Sequence, residues 1–94
     1  MQNAETKFIE KALSAVGDPY RLSILNAIAE NGFIRCCDVV DLTGLSQPTC
    51  SHHIKLLADS NLIESRKEGR HNIFTLNKPN FKKIGIFFEQ LTSA

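Results

Sequence analysis

The sequence predicts a mainly α-helical fold with a small β-hairpin, a winged helix-turn-helix with the element order α-α-α-α-β-β-α. Two short amphipathic segments joined at Gly44 have the pattern of a helix-turn-helix. Two alternating segments follow at once and flank the turn Glu68-Gly69-Arg70, which is typical of a hairpin. A chain of 94 residues with 43% hydrophobic and 22% charged residues has the balance of one globular domain. We therefore predict a single domain over residues 1–94.

The first two helices are predicted from helical spacing and capping residues. In the first helix, over residues 4–16, one apolar stripe contains Phe8, Ile9, Ala12, Leu13 and Val16. Asp18 is suited to cap the second helix, Pro19 to occupy its first position, and Asn31-Gly32 to end it. We expect the buried face of this second helix to contain Leu22, Leu25, Ile28 and Ala29. Residues 33–35 suffice only for a short strand that pairs with the hairpin.

The helix-turn-helix is predicted over residues 37–62. Its first helix runs from about Asp38 to Thr43 and ends at Gly44, which has no Cβ and tolerates the positive φ of a helix C-terminus. Ser46 caps the second helix, whose inward face contains Cys50, Ile54 and Leu57. The outward face carries hydrogen-bonding side chains, Gln47, Thr49, Ser51, His52 and Lys55. Such a face suits base edges and phosphates, although an ordinary helical hairpin with a polar surface has the same pattern.

The hairpin and the last helix complete the predicted fold. Residues 63–67 and 71–76 alternate as strands, and a final helix begins at residues 77–79. The apolar side of this helix contains Phe81, Ile84, Phe87, Phe88 and Leu91. Together with the first helix it offers more apolar surface than one small core needs, and such a surplus marks interfaces. We expect a homodimer through the first and last helices, with two recognition helices about 34–36 Å apart; alternatively, both helices cover the core of one monomer.

Charge is distributed unevenly along the chain, although the net charge is only +1. Residues 1–45 contain four Lys or Arg and six Asp or Glu, whereas residues 46–83 contain seven and three. The positive charge therefore coincides with the helix-turn-helix, the hairpin and the start of the last helix, as a phosphate-facing surface requires. No apolar run approaches a membrane span of about 18–20 residues, and the N-terminus lacks a signal pattern. We expect a cytoplasmic protein with no membrane partner.

Three motifs in order resemble the ArsR/SmtB family of small dimeric winged-helix repressors. They are DPYRLSIL (18–25), LSQPTCSHHIKLL (45–57) and RKEGR (66–70). The resemblance runs from about Ala12 to Leu76 and implies a dimer formed by the first and last helices, and operator binding that is lost when an inducer binds. It implies base or phosphate contacts from Gln47, Thr49, Ser51 and His52, phosphate contact from Lys55, and backbone or minor-groove contacts from Arg66, Lys67 and Arg70.

The two adjacent histidines cannot both face DNA. His52 and His53 differ by about 100° around the helix, so we assign DNA contact to His52 and helix packing to His53. The helix-turn-helix, the hairpin and the family resemblance together predict a sequence-specific repressor that binds double-stranded operator DNA and requires no cofactor. A winged domain used for protein–protein contact is the main alternative. An enzyme using Cys50 with a histidine would also need an orienting partner and a pocket, which nothing in the sequence supplies, so we expect no enzymatic activity.

The three cysteines leave two interpretations open. Their odd number argues against a disulfide framework. The family's arsenic sensors carry Cys-x-Cys-Asp before the recognition helix, where this chain has Arg35-Cys36-Cys37-Asp38. In one interpretation, Cys36 and Cys50 are small core residues and Cys37 has no role. In the other, Cys50 and one or both of Cys36 and Cys37 form a sensor for As(III), Sb(III), a soft divalent metal or a thiol oxidant. The family's zinc site in the last helix is not expected, because that helix has no histidine and a single acid, Glu89.

Overall fold

The computed structural model describes residues 3–93 and confirms the predicted winged helix-turn-helix. In chain order the elements are α1 (Ala4–Val16), α2 (Pro19–Asn31), β1 (Ile34–Arg35), α3 (Cys36–Thr43), α4 (Gln47–Asp59), β2 (Ile63–Glu68), β3 (His71–Leu76) and α5 (Lys78–Thr92). None of these helices is long and apolar enough to cross a membrane, within the part of the chain that is described. The short strand β1 lies where the sequence predicted it.

The helices begin and end at residues whose side chains or backbone form hydrogen bonds with the terminal N–H and carbonyl groups that have no partner within the helix. The Asp18 carboxylate accepts a hydrogen bond from the Arg21 N–H at 3.0 Å and caps α2. Gly44 has φ 72° and donates its N–H to the Val40 carbonyl, which ends α3. The start of α3 differs from the prediction: the helix begins at Cys36 rather than Asp38, because the Asp38 carboxylate reaches back to the Arg35 N–H at 3.0 Å.

The sheet is antiparallel, with the strand order β1-β3-β2. Phe74 on β3 lies opposite Ile34 on one side and Ser65 on the other. Ile63, at the start of β2, is 3% exposed, and the rest of that strand is exposed. The hairpin is therefore attached to the core at its base and extends into solvent at its tip. We call β2, β3 and their turn the wing.

The core lies between α2, the helix-turn-helix and the base of the wing. Ile24, Val39, Cys50, Leu57 and Leu62 are all fully buried. The predicted buried face of α2 was wrong in two places, because Leu22 is 47% exposed and Ala29 is also exposed. Leu25 and Ile28 are buried as predicted, and Ile24, one turn before Ile28, is buried as well. Leu22 lies about 200° around the helix from Ile24, which places it on the solvent side.

The two terminal helices are buried to different extents. In α1, Ile9, Ala12 and Ala15 are buried against the core. No residue of α5 is buried, although Phe81 and Ile84 pack against the core with part of their surface. Its second half exposes large apolar side chains, Ile86, Phe88 and Leu91, at 53%, 48% and 60%. In a single chain, α5 thus leaves an apolar surface in contact with water.

Candidate nucleic-acid interface

The recognition helix α4 is held against the core by one face. Cys50 and Leu57 are fully buried and Ile54 is 6% exposed, as the helical spacing predicted. The opposite face is in solvent, and all five of its predicted DNA contacts are exposed, Gln47, Thr49, Ser51, His52 and Lys55. Ser46 accepts the Thr49 N–H at 3.4 Å and caps the helix, and its hydroxyl also donates to Thr49 Oγ1 at 2.9 Å. The N-terminal half of α4 is therefore ordered without hiding its polar groups.

Besides Thr49, two further exposed side chains of this face have polar partners on the protein itself. Lys55 Nζ donates to Asp59 Oδ2 at 2.7 Å, one turn along the same helix. The hydrogen bond from Lys55 holds the pKa of the Asp59 carboxyl below its ordinary value. Ser51 Oγ lies 3.8 Å from the Cys36 thiol on α3. Lys55 must divide its charge between Asp59 and any phosphate that it contacts, which reduces the attraction that it offers to DNA.

The wing presents its basic residues on more than one side. Arg66 lies opposite Ile73, and Lys67 lies opposite Asn72, in the register of β2 and β3. Successive side chains of a strand point to opposite faces, so Arg66 and Lys67 cannot both face the same surface. Arg66 donates to the Glu68 carboxylate at 3.2 Å, on the same face of the strand. Arg70 is exposed at the tip, beside Gly69 with φ 63°.

His53 packs between helices, as predicted, and has a specific polar partner. Its side chain is 12% exposed, and its Nδ1 lies 2.9 Å from Arg21 Nη1 on α2. Asp18 Oδ2 is 3.9 Å from the same nitrogen. The backbone N–H of Arg21, more than any other group, lowers the pKa of the Asp18 carboxyl. Arg21 lies in the motif DPYRLSIL (18–25), but no local feature of the sequence predicted its bond to His53, which is 32 positions away.

The three cysteines are free thiols with different neighbours. Cys50 Sγ lies 3.5 Å from Thr43 Oγ1 and 3.8 Å from the Leu45 carbonyl, inside the helix-turn-helix. Cys36 is partly buried beside Ser51, and Cys37 is exposed, with its sulfur 4.0 Å from Asp38 Oδ1. Across residues 3–93, no three Cys, His, Asp or Glu side chains are grouped so that they could bind a metal ion. The three thiols therefore do not form one cluster in this conformation.

An ion pair lies at the start of α3, beside these thiols. Arg35 Nη2 is 3.1 Å from Asp38 Oδ1, and Arg35 Nε donates to the other carboxylate oxygen at 3.1 Å. This two-pronged pair, followed by the bond from the Arg35 N–H, lowers the pKa of the Asp38 carboxyl. The first turn of α3, which carries two thiols, is thus fixed by charge-assisted hydrogen bonds.

Comparisons with known proteins agree with this geometry. The model of the arsR family of bacterial regulatory proteins matches residues 18–65. An uncharacterized HTH-type transcriptional regulator of Methanocaldococcus jannaschii is 40% identical over 77 residues, which cover 82% of this chain and 86% of the relative. An arsenical resistance operon repressor of Staphylococcus xylosus is 38% identical over 71 residues, covering 76% of this chain and 67% of the relative.

The fold is also found among solved structures. The solution structure of a homodimeric winged helix-turn-helix DNA-binding domain from Mycobacterium bovis, a possible ArsR-family transcriptional regulator, matches with a TM-score of 0.71. The match covers 98% of this chain and 85% of that chain, at 20% sequence identity. At this identity the likeness establishes the fold.

Proposed function

Because this chain belongs to the arsR family of bacterial regulatory proteins, we propose that it is a homodimeric repressor that binds operator DNA in the cytoplasm and is released by an inducer. The observation that carries the proposal is α4, whose apolar face is buried while its five predicted contact residues are all in solvent. A helix held in this way can enter the major groove without rearranging the core.

The proposed DNA contacts divide into base readers and phosphate binders. Gln47 lies at the start of α4, and its amide can pair with adenine through two hydrogen bonds. Thr49, Ser51 and His52 have hydroxyl or ring groups that serve base edges or phosphates. Lys55 and the wing residues Arg66, Lys67 and Arg70 supply positive charge for the DNA backbone or an adjacent minor groove. In this division, Gln47 provides sequence preference and Lys55 provides affinity for any DNA.

The proposed dimer interface combines α1 and α5. Phe88 and Leu91, about 60° apart around α5, and the partly buried Phe87 supply its apolar surface. The homodimeric M. bovis domain of the same fold supports this assembly. Each protomer of a two-fold dimer contributes one α4, so that the two recognition helices can enter successive turns of the major groove on one side of the duplex.

For the inducer we propose a thiophilic species that reacts at Cys36, Cys37 and Cys50. The relative from S. xylosus is an arsenical resistance operon repressor, which supports As(III) or Sb(III), and thiolates also bind soft divalent metals. A thiol oxidant would act on the same groups. Cys36 on α3 contacts Ser51 of α4, and Cys50 on α4 contacts Thr43 of α3. Capture of these thiols would therefore strain the position of α4. In the alternative, the cysteines only fill space and the repressor has no cysteine-based sensing.

Fluorescence anisotropy with labelled DNA from upstream of the protein's own gene tests this function. The reduced protein is expected to bind this DNA at least about 10³-fold more tightly than a scrambled duplex, the lower end of specific recognition. Arsenite, Cd(II) and diamide are then added in turn, with Cys36→Ser, Cys37→Ser and Cys50→Ser as matched variants. Release that these variants abolish supports the sensor. A response that survives in both Cys37→Ser and Cys50→Ser refutes the cysteine sensor. Absence of binding to either duplex favours a protein–protein module.

A further inference from the structure

One polar cluster connects α1, α2 and the middle of the recognition helix α4. The Arg21 guanidinium donates through Nε to the Ala15 carbonyl near the end of α1, and its Nη1 contacts His53 Nδ1 on α4 at 2.9 Å. The backbone N–H of Arg21 is bonded to the Asp18 cap of α2. A single side chain therefore ties α1 and α2 to the middle of α4.

The chemistry of the two groups fixes the direction of this contact. A guanidinium only donates hydrogen bonds, so His53 Nδ1 must accept, and a neutral His53 then carries its proton on Nε2. The His53 side chain is only 12% exposed, and its Nδ1 lies 3.9 Å from Asp18 Oδ2. The Asp18 carboxylate also interacts with the Arg21 charge and offsets part of it. The bond is thus partly shielded from water, and charge-assisted hydrogen bonds are stronger than those between neutral groups.

Apart from the sulfur contacts of Cys50 with Thr43 and of Cys36 with Ser51, which are weak hydrogen bonds, the rest of the α4 interface is mainly apolar. Cys50, Ile54 and Leu57 attach the helix to the core, but apolar contacts have no preferred direction and tolerate small rotations and shifts. A hydrogen bond weakens steeply with angle and distance, so it defines how far α4 is rotated about its axis. His52, a proposed DNA contact, is the next residue to His53, and its ring centroid lies 6.4 Å from that of His53.

We propose that Arg21 and His53 are positioning residues for DNA recognition: their hydrogen bond sets the rotation of α4, and so the aim of its base-reading side chains. The inference rests on the proposed function. Neither residue needs to touch DNA. Loss of the bond weakens base contacts, which require exact geometry, more than phosphate contacts, which flexible lysines and arginines can re-form.

The test compares three variants on operator and scrambled DNA, at a temperature where circular dichroism shows each variant folded. His53→Leu and Arg21→Met each remove the bond, and we expect operator affinity to fall about tenfold, the cost of one wrong base pair, with scrambled-DNA affinity changed less than about twofold. His53→Asn is the matched control. Its side-chain oxygen takes the place of Nδ1 as acceptor, and it is expected to restore operator affinity to within about threefold.

Several results would overturn this inference. Operator and scrambled affinities that fall together in the folded variants show a general loss of DNA affinity rather than of base reading. Unchanged operator affinity shows that the bond has no role, and His53→Asn behaving like His53→Leu rules out the acceptor. Nitrogen-15 NMR of the wild-type imidazole gives an independent answer: a bare Nδ1 and a protonated Nε2 are expected, and a protonated Nδ1 contradicts the bond. Wild-type protein that does not prefer the operator refutes the proposed function itself, and this inference with it.

Discussion

The Cys36 thiol on the supporting helix lies 3.8 Å from the Ser51 hydroxyl on the exposed face of the recognition helix. A chemical change at Cys36 therefore has a direct steric path to a side chain that we assign to DNA contact. Cys37, the adjacent thiol, is exposed and contacts its own helix at Asp38. The two neighbouring thiols differ in what they can transmit.

Adding a methylthio group to Cys36 is expected to weaken operator binding about fivefold or more. The group must fit between α3 and α4, and overpacking of this kind costs about 1–3 kcal/mol. The measurement is anisotropy after treatment with methyl methanethiosulfonate. Cys36→Ser is expected to be resistant and Cys37→Ser to remain sensitive. An equal loss of affinity in treated Cys36→Ser would show that another site transmits the effect.

Neutralising Asp59 is expected to strengthen binding to every DNA sequence by about two- to threefold at low salt. Asp59→Asn releases Lys55 from its 2.7 Å ion pair and removes a negative charge from the recognition helix, while an exposed pair of this kind contributes little to the stability of the fold. Asp41→Asn, an exposed acid on α3, is the matched control for net charge. If both variants gain equally, the effect is one of net charge and the ion pair is irrelevant.

Gln47→Ala and Lys55→Ala are expected to fail in different ways. Loss of Gln47 should cost about 1–3 kcal/mol on the operator and little on scrambled DNA, because it removes a base contact. Loss of Lys55 should weaken all DNA and reduce the slope of log affinity against log salt by about one. Anisotropy titrations at several salt concentrations measure both. Parallel losses from the two variants on every duplex would contradict the assigned division between base reading and phosphate binding.

Asp38→Asn is expected to destabilise the protein by about 1 kcal/mol above pH 5, the usual worth of a helix cap. The Arg35 guanidinium and N–H lower the pKa of Asp38 in the folded state, so its contribution is present above the unfolded pKa and disappears as the pH falls through the folded value. The difference in unfolding free energy between wild type and variant should therefore shrink below about pH 4. Urea unfolding at pH 7, 5, 4 and 3 measures it. A difference that stays constant across this range would show that Asp38 acts by shape alone.

The sequence predicted those features that follow from local periodicity and capping. The element order, the short strand β1 and the inward direction of Cys50 all follow from such local signals. The face of α2 was predicted less well, because apolar residues occur around most of that helix and only packing selects Ile24 over Leu22. The start of α3 depends on the Asp38 side chain, which accepts a hydrogen bond from the Arg35 N–H. Helix propensity alone does not predict such a bond.

The candidate site was predicted only as a set of exposed residues. Spacing placed the polar face of α4 in solvent, but it did not reveal that Lys55 is paired with Asp59 or that Cys36 contacts Ser51. The bond between Arg21 and His53 joins two helices that are distant in sequence, so only the assembled core reveals it. Contacts of this kind depend on tertiary packing, which produces no periodic pattern in the sequence.

Hydroxyl-radical footprinting on DNA from upstream of the protein's own gene tests the central claim most directly. A dimer that places two α4 helices on one face of the duplex is expected to protect two segments whose centres lie about 10–10.5 base pairs apart. The protection should disappear on the scrambled duplex at the same protein concentration. No protection at any concentration, or equal protection of both duplexes, would contradict a sequence-specific dimeric repressor.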